Sequence, residues 1–298
     1  MPKPTRPAKQ PPGVCHFRLG DAVVTALNDG MLGDDTFNFF DAVTNLPKSE
    51  AEALHRATFR ALTPRLAVNA FLLHLSDKLV LVDGGCGASM GPTLGHLVGN
   101  LATIGVKPHD IDTILVTHLH PDHVGGLVDG SGHAVFSNSE LVLHAADATY
   151  WSDEKLLTQA PNEQHRQSVL LSRATLAAYR DRTRTVTSGE ALPGVAAIPV
   201  PGHTPGHTGW LIASAGDTLL IWGDIVHLPG IQFAHPEAGM AFDVDGAQAI
   251  ASRRRIMDMA ATDRLRVTGM HLDFPGFGHL VRAGGAYAFV PEVWTAAV

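Results

Sequence analysis

The chain is poor in cysteine, in charge and in long apolar runs. Cys15 and Cys86 are the two cysteines in 298 residues, too few for a disulfide framework. Cys86 follows an apolar run in a Gly-rich turn and reads as a small packing residue. Charged residues make up 17%, with 22 Lys and Arg against 29 Asp and Glu, for a formal net charge of -7. Phosphate binding needs a concentrated basic face, so nucleic acid is not an expected partner. The basic run Arg253, Arg254 and Arg255 falls in a helical-looking stretch and reads as a solvated face. No apolar run reaches the ~20 residues that span a bilayer, so no membrane partner is expected. The N-terminal MPKPTRPAKQPPG has no apolar stretch of signal-peptide type. Residues 1–18 are expected to form a flexible, Pro-rich arm and residues 19–298 one domain. A cytoplasmic location follows for the chain as given, although a removed export signal would leave the same picture.

What is present is apolar content of 45%, enough for a sizeable core, and a surplus of histidine at seventeen residues. Short apolar runs alternate with helix-like segments. Strands are expected over 23–27, 69–75, 79–82, 111–116, 140–144, 197–200, 208–213, 218–222 and 266–270, with a hairpin turn at Ser76-Asp77. Helices are expected over 92–104, 163–180 and 245–261, with a short one from Ala145. Strands that precede helices in each of two approximate halves suit two packed sheets with helices outside.

Position decides what the histidines mean. Thr117-His118-Leu119-His120-Pro121-Asp122-His123 follows the apolar strand Ile114-Leu115-Val116. In extended backbone His118 and His120 point to the same side. The chain then turns at Pro121, letting Asp122 and His123 face the same centre. Imidazole and carboxylate together suit zinc and similar ions. Three more candidates stand at strand ends: His203 in Pro201-Gly202-His203-Thr204-Pro205-Gly206-His207, Asp224 after Leu219 to Gly223, and His271 after Val267 to Met270. A lone His or Asp after a strand means little, but three in series after the cluster favour two metals. The run Gly84 to Gly95 lacks G-K-[ST], which excludes a P-loop.

The order H-x-H-x-D-H, then His, Asp and His, resembles the metallo-β-lactamase superfamily. The resemblance implies an α+β fold, the four-layer αββα sandwich, with the metals at one edge. It implies that His118, His120 and His203 hold one ion, that Asp122, His123 and His271 hold the second, and that Asp224 bridges them. Asp83, in Leu81-Val82-Asp83-Gly84-Gly85, matches a family aspartate that orients a ligand histidine. Zinc is the expected pair of divalent ions, with Mn, Fe or Co fitting similar ligands. His207 is expected to pack near the ions without ligating them, and His16, His55, His109 and His165 to be surface residues.

Gly91 to Gly95, Thr117 to Leu127, Gly202 to Thr208 and Phe274 to His279 resemble the methyl parathion hydrolase, lactonase and arylesterase branch. That branch implies a homodimer. The parathion-hydrolysing members carry Arg where this chain has Phe39, and Leu where it has His227. Lactonases of the fold place a Tyr at the latter position, aimed at the substrate carbonyl, and His227 offers a similar hydrogen bond. A lactone or aryl ester is therefore the expected substrate, with an organophosphate triester as side reaction or, alternatively, as the dedicated substrate. Two ions sharing Asp224 also share a water, ionised near neutral pH to the attacking hydroxide. Asp122 helps move a proton to the leaving alkoxide. Phe39, Met90, Trp151, His227 and Phe242 are the expected substrate-binding residues, forming an apolar pocket with the cluster Phe37, Phe39 and Phe40 as core plug or lid. A thioesterase of the glyoxalase II kind ranks lower for lack of a basic pocket. An RNA-processing nuclease conflicts with the acidic charge, a diiron oxygen reductase with His120 and the missing flavin domain, and a non-catalytic protein with the intact ligand set.

Overall fold

A computed structural model describes residues 10–33 and 38–298. The first half of the chain supplies β1 (Val14–Leu19), β2 (Ala22–Leu32), the short β3 (Val43–Thr44), β4 (Leu66–Leu75), β5 (Lys78–Val82), β6 (Thr113–Leu115), β7 (Glu140–His144) and β8 (Thr183–Val186). The second supplies β9 (Gly189–Leu192), β10 (Val195–Pro199), β11 (Thr208–Ser214), β12 (Asp217–Ile221), the short β13 (Gly239–Met240), β14 (Arg266–Thr268), β15 (Gly278–Ala283) and β16 (Ala286–Pro291). The helices are α1 (Lys48–Ala57), α2 (Leu97–Thr103), α3 (Pro121–Val124), α4 (Ala145–Ser152), α5 (Lys155–Thr158), α6 (Glu163–Ala178), α7 (Pro229–Gln232) and α8 (Gly246–Thr262). One seven-stranded sheet runs β1-β2-β4-β5-β6-β7-β8 and the other β16-β15-β14-β12-β11-β10-β9.

Side chains alternate across a strand, and this period of two builds the layers. Phe71 and Leu73 of β4 meet Trp210 and Ile212 of β11 and Leu219 and Ile221 of β12 between the sheets. Ala70 and Leu72 face the other way, into a cluster with Leu97 and Leu101 of α2 and Val169 of α6. Leu220 turns outward to Ile256, Met257 and Ala260 of α8. The result is the expected αββα sandwich. No helix among the described residues is long and apolar enough to cross a membrane.

Several expectations need correction. Of the arm assigned to residues 1–18, residues 1–9 lie outside the described part. Val14–Leu19 is no arm but strand β1, paired antiparallel with β2 from Val14↔Leu27 to Leu19↔Ala22. The turn at Gly20-Asp21, with Gly20 at φ 59, closes this hairpin. The helix expected over 92–104 begins only at Leu97. The buried Asp29 carboxylate takes the N–H groups of Cys86, Gly95 and Leu97, and holds the preceding segment as a loop. Arg253 is not on a solvated face. It is 1% exposed and donates to the carbonyls of Ile225, Pro236 and Ala238, while Arg254 and Arg255 remain exposed. His55 is not a surface residue either, being buried edge-on to Phe40. Cys86 is fully buried, and burial pushes its thiol far up, which suits a packing residue.

Candidate metal centre

The centre forms where strands stop. Asp83 follows β5 and Thr117 to His123 follow β6, the strand paired parallel to it through Val82↔Leu115. His203 follows β10. Asp224 follows β12 and His271 follows β14, and these two strands are also parallel. Pro121 starts α3, the turn that brings Asp122 and His123 back toward His118. Gly223 precedes Asp224 at φ 62, where a Cβ would collide with the His207 ring. That close approach lets the Asp224 N–H donate to His207 Nε2 at 2.9 Å. His207 thus sits beside the centre as a support for Asp224.

Seven predicted side chains converge. His118 Nε2, His120 Nδ1 and His203 Nε2 stand 2.9, 2.9 and 3.1 Å from one another. Asp224 Oδ2 lies 3.3 Å from His123 Nε2, 3.3 Å from His203 Nε2, 3.2 Å from His271 Nε2 and 3.6 Å from His118 Nε2. Asp122 Oδ2 lies 3.4 Å from both His123 Nε2 and His271 Nε2. Ligand atoms around a tetrahedral zinc with ~2.0–2.1 Å bonds stand about 3.3 Å apart, and these spacings are of that size. His123 Nε2 and Asp224 Oδ1 are buried polar atoms without a hydrogen-bond partner, as fits groups awaiting a cation. Among the described residues, His118, His120 and His203 form one group able to hold an ion, and Asp122, His123, Asp224 and His271 another.

The outer nitrogens are held too. His123 Nδ1 is 2.7 Å from Asp83, which also accepts the N–H and O–H of Thr117. Asp83 adopts φ 60, a left-handed conformation rare for aspartate, kept by these three bonds. His203 Nδ1 is 2.8 Å from Asp243, and His271 Nδ1 is 2.8 Å from the Ala67 carbonyl. Such partners fix ring orientation and tautomer. Asp147 accepts the N–H groups of Leu119 and Gly206, tying the His118–His123 loop to the loop of His203. Sequence reasoning passed over Asp147 and Asp243. The one signal was for Asp147, an aspartate in the first turn of a helix directly after a strand.

The charges fit ions. Burial pushes His118 well below its ordinary value and His120 down to about 3, so both offer lone pairs. Burial works against protonated His203 and His271, yet Asp224 with Asp243 carries the first up to about 9, and Asp224 with Asp122 the second up to about 10. Burial also opposes ionised Asp122 and Asp224, but the rings around them, His123 foremost, hold both well below the carboxylate range. The two carboxylates demand positive charge, and protons supply it when metal does not. An ion bound here would displace the protons of His123, His203 and His271. Zinc uptake at pH 7 is therefore expected to release protons, with affinity rising until pH reaches about 9 to 10. Calorimetric titration in buffers of different ionisation enthalpy counts these protons, and a count of zero contradicts the scheme.

The expected pocket residues divide. His227 packs 5.2 Å from the His271 ring and 5.1 Å from Phe242, and its Nε2 is 3.2 Å from Asp224 Oδ2. Phe242 is 36% exposed and also lies edge-on to His203. Trp151 is buried edge-on to His120, with ring centroids 5.3 Å apart. Phe39 lies with Phe40 in a satellite core that includes Leu66, Leu228 and Ile231. Met90 packs against the cluster of Val68, Cys86 and Leu94. Phe37 lies outside the described residues.

A model of the metallo-beta-lactamase superfamily matches residues 63–271. The chain belongs to the metallo-beta-lactamase superfamily. The match runs from before β4 to the ligand candidate His271, and takes in all seven convergent side chains. Among solved members, the hydrolase AbOPH of the beta lactamase superfamily is 30% identical, with a TM-score of 0.89, over 96% of this chain and 100% of that one. AidC, a dizinc quorum-quenching lactonase solved with a product, is 28% identical at a TM-score of 0.89, over 95% of this chain and 99% of that one. An N-acyl homoserine lactonase from Bacillus sp is 25% identical over 240 residues, covering 70% of this chain and 84% of the relative.

Proposed function

We propose that this superfamily member is a two-metal hydrolase that opens lactones or cleaves aryl esters. One observation carries the reading: Asp224 Oδ2 sits between a three-histidine group and the group of Asp122, His123 and His271, in contact with both. The similarity to AidC and to the Bacillus lactonase supports a lactone as substrate. His118, His120 and His203 would hold one divalent ion, Asp122, His123 and His271 the other, with Asp224 shared and zinc the first choice of metal. When bound, such a pair supplies Lewis acidity and a solvent molecule acidic enough to ionise near neutral pH.

The chain's own groups do the rest. Asp122, at 13% the more exposed of the two carboxylates in the centre, would take the proton of the attacking solvent molecule and pass it to the departing alkoxide. His227 stays neutral at neutral pH because burial pushes it down to about 4, and it donates an N–H to the substrate carbonyl. Phe242 gives an apolar wall beside the centre for an acyl or aryl group, and the Trp151 ring holds His120 from behind.

A substrate panel on the zinc and cobalt forms tests the reading. Dihydrocoumarin and N-acyl homoserine lactones are expected to turn over at least about tenfold faster, by kcat/KM, than paraoxon-like triesters. The reverse order would make the protein a dedicated phosphotriesterase of the methyl parathion type.

A further inference from the structure

Eight side chains, not seven, reach the centre. His203, Asp224 and His227 form a third group able to hold an ion, built from one residue of each main group plus His227. His227 Nε2 is as near Asp224 Oδ2, at 3.2 Å, as His271 Nε2 is. Its ring is tilted against His203 with centroids 4.9 Å apart, and it is 2% exposed, so water does not compete for it.

The ring differs from those of His123, His203 and His271 in one respect. The outer nitrogens of His123, His203 and His271 are held by Asp83, Asp243 and the Ala67 carbonyl. His227 Nδ1 is buried and has no hydrogen-bond partner. Ligand histidines are normally oriented through that nitrogen, and losing the outer partner weakens metal binding about 10–100-fold. A ring that reaches the ligand cluster but is unsupported behind can bind an ion and also let go of it.

We propose that His227 is an exchangeable metal ligand. It would occupy a coordination position on an ion shared with His203 and Asp224 when no substrate is bound, and yield that position to the substrate oxygen. This deepens the reading above and rests on its two-metal centre.

The test uses the full chain loaded with zinc or cobalt, and reads metal rather than turnover. His227→Leu is expected to release its more weakly held ion to a chelator about tenfold faster than the parent. The visible ligand-field bands of the cobalt form are expected to intensify as the coordination number falls. Adding N-hexanoyl-L-homoserine should shift the parent's cobalt bands as an oxygen replaces the ring nitrogen, with little gain in intensity because the coordination number is kept. His227→Asp, which restores a donor, should recover slow release. Should His227→Leu fail to fold, His227→Asn is measured the same way, with the circular dichroism of the metal-free forms as control. Equal release and unchanged cobalt bands in a folded variant overturn the proposal. Failure of the parent to hydrolyse any lactone or ester would instead overturn the proposed function and leave the release rates standing.

Discussion

Replacing Asp224 by alanine is expected to empty the centre and cut lactone or ester hydrolysis by at least about a thousandfold. The Asp224 Oδ2 atom contacts His118, His123, His203, His227 and His271, more rings than any other acceptor in the centre meets. Its carboxylate is the charge shared by both ion groups, and it is the leading favourable influence on protonated His123, His203 and His271. Without it, one group keeps three neutral donors, and the other keeps Asp122 as its sole anion. Ligand removal costs more than loss of an outer partner, for which about 10–100-fold is usual. Metal analysis after gel filtration should find well under one ion per chain, against about two for the parent. An Asp224→Ala protein that kept both ions would sink the two-metal reading. The fold should survive, because Asp224 sits at the mouth of the sandwich and the core between the sheets does not depend on it.

Replacing Arg253 by leucine is expected to cost on the order of 3–5 kcal/mol of stability, the largest effect foreseen away from the metal donors. The guanidinium gives Nε to the Ile225 carbonyl at 2.6 Å and Nη1 to those of Pro236 and Ala238 at 3.0 Å each. Leucine fills much of the space but leaves the buried Ile225 and Pro236 carbonyls unpaired, while Ala238 keeps the Gln232 amide. Burial pulls the guanidinium down to about 10, so it stays charged at neutral pH, and Asp243 nearby favours that charge. In a domain of this size the loss corresponds to a fall of roughly 10 °C in the unfolding midpoint. Ile225 follows Asp224 directly, so metal occupancy should fall together with stability. A midpoint within 2 °C of the parent, measured by calorimetry, would show that water or backbone shifts replace the arginine; the ~2 °C figure is the scale of one weak hydrogen bond.

The two variants probe different layers of legibility. Asp224 could be named from sequence because a ligand must stand at the end of a strand, after an apolar run, in a fixed order with the histidine cluster. Arg253 was misplaced because helical periodicity shows where a side chain points, not what lies there. Its three acceptors come from residues 225, 236 and 238, and no local pattern links them to an arginine on α8. The same limit explains His55, which was expected on the surface and is buried against Phe40. Strand β1 follows a Pro-rich start that reads as a flexible arm, and only its pairing with β2 across the Gly20 turn makes it a strand.

The sequence by itself determined the superfamily, the sandwich of two sheets and the seven candidate donors, because metal ligation needs particular side chains and an apolar strand needs a particular alternation. Only the tertiary structure decided which groups stand behind those donors. Asp243 on His203, Asp147 between the two histidine loops and Arg253 under Ile225 each act across distant parts of the chain. A hydrogen bond to a buried backbone group depends on where the folded chain brings that group, and the neighbours along the sequence carry no record of it.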